Sequence, residues 1–82
     1  MIWGRMRCYN KLVKLYNETD ENEINEQTVL MCERQEDVPL TAVLSQFKYL
    51  VRHRICDNRY GVLKRYLEDT FGEQIIKDLE AM

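Results

Sequence analysis

Histidine and glycine are scarce in this chain: one histidine and three glycines among 82 residues. With His53 alone, a catalytic site built on paired imidazoles is excluded, and the three isolated glycines exclude a phosphate-cradling loop. Cysteine is also thin, with Cys8, Cys32 and Cys56. An odd count leaves at least one thiol unpaired in a monomer, and three thiols are too few for a disulfide scaffold. Their equal spacing is not a repeat, because the flanking residues differ. The thiols point to a reducing compartment, cytoplasm or nucleus. Long apolar runs are missing too. The longest is Val29-Leu30-Met31-Cys32, against roughly 20 residues for a membrane span. The stretch Met1–Arg7 lacks the apolar core of a signal peptide. The ending Leu79-Glu80-Ala81-Met82 carries no lipidation or retention signal. Starting at Met1 and finishing on an amphipathic helix, the chain reads as a complete product.

What is present suits one small folded domain over residues 1–82. Hydrophobic residues make up 45% and charged residues 32%, a balance of soluble globular chains rather than disordered ones. A chain of this size buries about 60–65% of its unfolded surface. The core is therefore modest, and a large enclosed active site, a cofactor-binding sheet and a two-domain cleft are excluded. Charge is blocked rather than mixed. Residues 1–17 hold four cations and no acid; residues 18–37 hold eight acids and one cation. Residues 38–47 are neutral, residues 48–65 hold six Lys/Arg and one acid, and residues 66–82 hold five acids and one cation. Such blocks attract one another across a fold, or leave one basic block facing an external anion.

Periodicity predicts helices. Ile2, Met6, Tyr9, Val13 and Tyr16 share one helical face over 2–16, widened by Trp3, Leu12 and Leu15. Residues 17–27 are polar and acidic and read as a surface connection or the exposed start of the next element. The run 28–33 fits a short helix or a buried strand; the acids before it favour a helix. The clearest element spans about 38–55, with Leu40, Val43, Leu44, Phe47, Leu50 and Val51 at helical spacing. Asp37 is expected to cap it, with Pro39 in its first turn. Asp57-Asn58 starts a further helix with Tyr60, Leu63 and Leu67 inward. Thr70-Phe71-Gly72-Glu73 fits a capping box ahead of a last helix carrying Ile75, Ile76, Leu79 and Met82. The class is mostly α, a bundle of three to five helices; a strand at 28–33 would make it α+β.

Little here assembles chemistry. His53 precedes Cys56 by three residues, so one helix could face them together, but no orienting group or strained elbow accompanies them. Zinc would need Cys8, Cys32, His53 and Cys56 gathered without any close cysteine pair. Carboxylate pairs such as Glu68/Asp69 and Asp78/Glu80 lie on solvent-facing stretches. No catalytic, metal or cofactor-binding residue is assigned, and the chain reads as a non-enzyme without a cofactor.

The basic block is the better candidate. Lys48 and Arg52 are i, i+4 neighbours on what reads as the exposed flank of the 38–55 helix, with Tyr49 and His53 beside them. Five of the eight aromatics are tyrosine, and tyrosine and arginine dominate protein–protein hot spots. The expected function is a non-catalytic protein–protein interaction module, a small regulator, adaptor or subunit that self-associates as a homodimer or joins a heterocomplex. Its partner-binding residues would be Lys48, Tyr49, Arg52, His53 and Arg59. The alternative is a nucleic-acid-associated regulator holding phosphates through Lys48, Arg52, Arg54 and Arg59. Internal pairs Lys64/Glu68 and Arg65/Asp69 and a pI near 5.4 weigh against it. No membrane partner is expected.

Overall fold

The computed structural model describes the backbone of residues 2–81 and the side chains of residues 10–81. Five helices and no strand occur among them: α1 (Ile2–Glu18), α2 (Glu26–Glu33), α3 (Leu40–Arg52), α4 (Asn58–Phe71) and α5 (Gln74–Glu80). The segment 28–33 is thus helical, and the chain is a small all-α bundle. No helix is long and apolar enough to cross a membrane among the described residues.

α3 and α4 form the middle of the bundle. α1 packs on α3, α2 on α4, and α5 bridges α1 and α4. Val43, Leu44, Phe47 and Leu50 of α3 are fully buried at the predicted spacing. They meet Leu63 and Leu67 of α4, Ile75, Ile76 and Leu79 of α5, and Leu12 and Tyr16 of α1 in one cluster. Phe47 stacks on Tyr60 with ring centroids 5.5 Å apart. Burial of each such side chain stabilises the fold by about 1.5–3 kcal/mol. The inward positions expected of Ile2, Trp3, Met6, Tyr9 and Met82 lie outside the described side chains.

The predicted boundaries shift for local reasons. α3 is shorter than 38–55 at both ends. Val38 precedes a proline, which disfavours helical backbone there. Pro39 is the N-cap, and its carbonyl accepts from Ala42 N at 3.0 Å. Asp37 is exposed and does not cap α3. At the other end Arg54 takes a positive φ of 55°. Arg54 N then donates to Val51 O and Ile55 N to Leu50 O, a reverse turn that ends the helix. α2 ends the same way at Gln35, φ 59°. Glu36 N donates to Met31 O and Gln35 N to Cys32 O.

Of the expected caps at Asp37, Asp57 and Thr70, only Asp57 forms one, and α2 is capped by Asn25, which is not among them. Asn25 Oδ1 accepts from Gln27 N at the start of α2, and Asp57 Oδ1 from Arg59 N at the start of α4. The capping box at 70–73 is absent. Thr70 is still inside α4, and its hydroxyl donates back to Tyr66 O at 2.9 Å. Glu73 precedes α5 without a side-chain cap bond. Gly72 makes the break instead, at φ 95°, where L side chains are strained.

Candidate functional site

Three buried polar residues of α3, Ser45, Gln46 and Lys48, hold the connection between α1 and α2. Ser45 O accepts from Asn22 N at 3.2 Å, and Gln46 Oε1 accepts from Asn25 N at 3.0 Å. Lys48 reaches further. Its Nζ donates to the carbonyls of Tyr16, Asn17 and Thr19 at 3.0, 3.3 and 2.8 Å and lies 5.3 Å from the Tyr16 ring centre. Those carbonyls close α1, where the helix dipole is negative and a cation is favourable. Lys48 is 8% exposed. The expectation that it flanks Arg52 on an outer face is therefore corrected. It points inward because the end of α1 offers unpaired acceptors there.

Beyond Lys48, the same helix side opens to solvent. The Tyr49 and His53 rings lie 4.3 Å apart, centre to centre. His53 Nε2 is 2.9 Å from Glu21 Oε1, and Arg52 Nε is 3.7 Å from Glu21 Oε2. Arg52 and His53 are exposed, and Tyr49 is half-buried against the core. The structure thus brings Tyr49, Arg52 and His53 into one corner, pinned by an acid from the α1–α2 connection.

The remaining cations are mostly occupied. Arg59 folds back on Asp57, Nε and Nη2 donating to Oδ2 at 3.0 and 2.7 Å. That pairing holds the Asp57 carboxyl below its usual range and the Arg59 guanidinium above its own. Arg65 lies 3.9 Å from Asp69. The expected Lys64–Glu68 pair does not form among the described residues. Lys64 Nζ instead sits 5.9 Å from the Tyr60 ring centre. Of the four residues proposed for phosphate binding, only Arg54 is without a carbonyl or carboxylate partner among the described residues.

The tyrosines roof the core more than they project from it. Tyr16 is buried; Tyr60 and Tyr66 are half-buried. The Tyr60 hydroxyl donates to Glu80, and burial, then that carboxylate, raises its pKa. His53 and Cys56 do not share a helix. α3 stops at Arg52, and the left-handed turn at Arg54 separates them. Cys56 is an exposed free thiol beside a recess of about 250 Å³ lined by Leu50, Ile55, Tyr60 and Glu80. Among the described residues no three His, Cys, Asp or Glu side chains converge as a metal site would require. Cys8, the fourth member of the zinc set, lies outside the described side chains.

A second surface has no counterpart in the sequence reading. α2 and α4 bound an open groove of about 680 Å³, lined among others by Cys32, Glu33, Asp37, Gly61, Tyr66 and Asp69. Its only advance signals were the acid in the last turn of α2 and a glycine inside α4. No protein-family model, curated protein or solved structure matches this chain.

Proposed function

We propose that the chain is a non-catalytic protein–protein interaction module, a small regulator, adaptor or subunit of the cytoplasm or nucleus that self-associates. The observation that carries this reading is the corner at the end of α3. There the Tyr49 ring packs at a tilt against His53, and Arg52 and His53 share Glu21. Side chains already fixed in place lose less entropy on binding, and tyrosine and arginine are the residue types that anchor interfaces. Cys32 and Cys56 are free thiols, which suits a reducing compartment.

Light scattering and sedimentation over a concentration series test the proposal. The expected result is a species near twice the monomer mass at high concentration. Arg52→Glu with His53→Ala is expected to weaken it at least about tenfold, or 1.4 kcal/mol, with the helical circular dichroism unchanged. A chain that stays monomeric, and whose copurifying proteins are indifferent to these substitutions, would refute the reading. Low-salt binding to nucleic acid that is abolished by Arg52→Glu with Arg54→Glu would replace it with the phosphate-binding alternative. Lys48 is unsuitable for that test, since its reversal would place a carboxylate against three carbonyls.

A further inference from the structure

We propose that the groove between α2 and α4 is a docking site for a cationic amphipathic segment of a protein partner. It shares no lining residue with the Tyr49–Arg52–His53 corner, so the two readings fail independently.

The groove has length, a floor and a sign. Gly61, Val62, Arg65, Tyr66, Asp69 and Thr70 of α4 line it over nearly three turns, roughly 14 Å at 1.5 Å per residue. Opposite them stand Cys32, Glu33, Gln35 and Asp37. Val62 and Tyr66 are half-buried, and Cys32 is 4% exposed, its thiol with no hydrogen-bond partner among the described residues. Burial pushes that thiol up to about 11, so it stays neutral and the floor accepts apolar side chains. The rim is negative. Glu33, Asp37 and Asp69 face one guanidinium, Arg65, which is already paired with Asp69. Glu33 and Asp37 pair with no cation among the described residues.

Helix electrostatics add to this sign. Glu33 lies in the last turn of α2 and Asp69 in the last turn of α4, and neither turn contains a basic residue. A carboxylate at the negative end of a helix dipole is unfavourable, and an incoming lysine or arginine relieves it. The fold itself leaves the space empty. A Cβ built on Gly61 meets nothing within 4 Å among the described residues, although alanine would favour the helix by about 1 kcal/mol. With glycine there, the wall of α4 stays low, and an approaching segment can reach the helix backbone. Apolar floor, acidic rim and open wall match an amphipathic helix with leucine on one side and lysine or arginine on the other.

The test uses a labelled peptide of three to four turns, about 14 residues, with leucine and lysine at helical spacing. Its controls are the same peptide with glutamate for lysine, and spermine. Anisotropy gives affinity on the full chain, and amide shifts give location. The lysine peptide is expected to bind, with shifts centred on Gly61, Val62 and Asp69. Glu33→Lys with Asp37→Lys, and separately Gly61→Leu, are each expected to reduce affinity at least tenfold. Gly61→Gln serves as the second steric variant if Gly61→Leu fails to fold. Absence of binding at low salt, shifts centred elsewhere, indifference to the Gly61 substitutions, or equal binding of spermine would each overturn the proposal.

Discussion

Lys48 is drawn inward because the last turn of α1 leaves carbonyls unpaired, and among the described residues no other cation reaches them. Three charge-assisted bonds and the Tyr16 ring repay its desolvation. An exposed lysine in a helix flank would tolerate exchange within about 0.5 kcal/mol. Lys48→Met retains the aliphatic stem but strands the three carbonyls. It is expected to destabilise the fold by about 2–3 kcal/mol, read as a lower urea midpoint with unchanged slope. An unchanged midpoint would show that water substitutes fully for the ammonium. Position 48 sits on the shoulder of a clear apolar stripe, and nothing local reveals that another helix ends beside it. Its residue type was legible, and its direction was not.

At the level of the helix, of the expected starts only the cap at Asp57 was read correctly, and the stops at Gln35 and Arg54 were not read at all. Asn25 and Asp57 cap because their short side chains reach the next backbone N–H groups, which is local chemistry. The ends of α2 and α3 rest on Gln35 and Arg54 in left-handed backbone, which residue type does not advertise. Gln35→Gly and Arg54→Gly are each expected to stabilise the chain by about 0.5–1 kcal/mol. Gly72→Ala is expected to destabilise by about 1 kcal/mol. Urea titrations of the three variants check the signs, and a loss of stability at Arg54→Gly would mean that the arginine side chain anchors the turn. The failed capping box at 70–73 has the same lesson. Thr70 lies inside α4, ahead of Glu73 at the N-cap of α5, so its hydroxyl is out of place for capping that helix.

Across the whole molecule, burial sets an alkaline limit on stability. The Cys32 thiol ordinarily titrates at 9.0 and is pushed up to about 11 by burial. Burial likewise raises the Tyr16 and Tyr60 hydroxyls above 10.0. Each group holds its proton more tightly when folded. Its stabilisation is therefore complete below the unfolded value and is lost as pH rises through the folded one. Stability is expected to be level to about pH 8.5 and to fall from about pH 9 upward, the Cys32 share being lost by about 11 and the tyrosine share above that. Cys32→Ala should remove the earliest part of that fall, as followed by urea midpoints at stepped pH. A pH-independent midpoint over this range would show that these groups are solvated. The charge blocks also resolve at this scale. Glu21 of the acidic block meets Arg52 and His53 of the basic one, while Asp57–Arg59 and Arg65–Asp69 are local pairs.

The amino-acid order alone determined that the chain is helical, and where its central stripe of Val43, Leu44, Phe47 and Leu50 would bury. Helical spacing is a property of neighbours in sequence, so it survives without knowledge of the fold. Only the tertiary arrangement decided that Lys48 turns inward, that Glu21 pins the Tyr49–His53 corner, and that α2 and α4 leave an acidic groove. Each of these joins residues distant in the chain. Their partners are set by which helix packs on which, and the periodicity of a single helix carries no record of that.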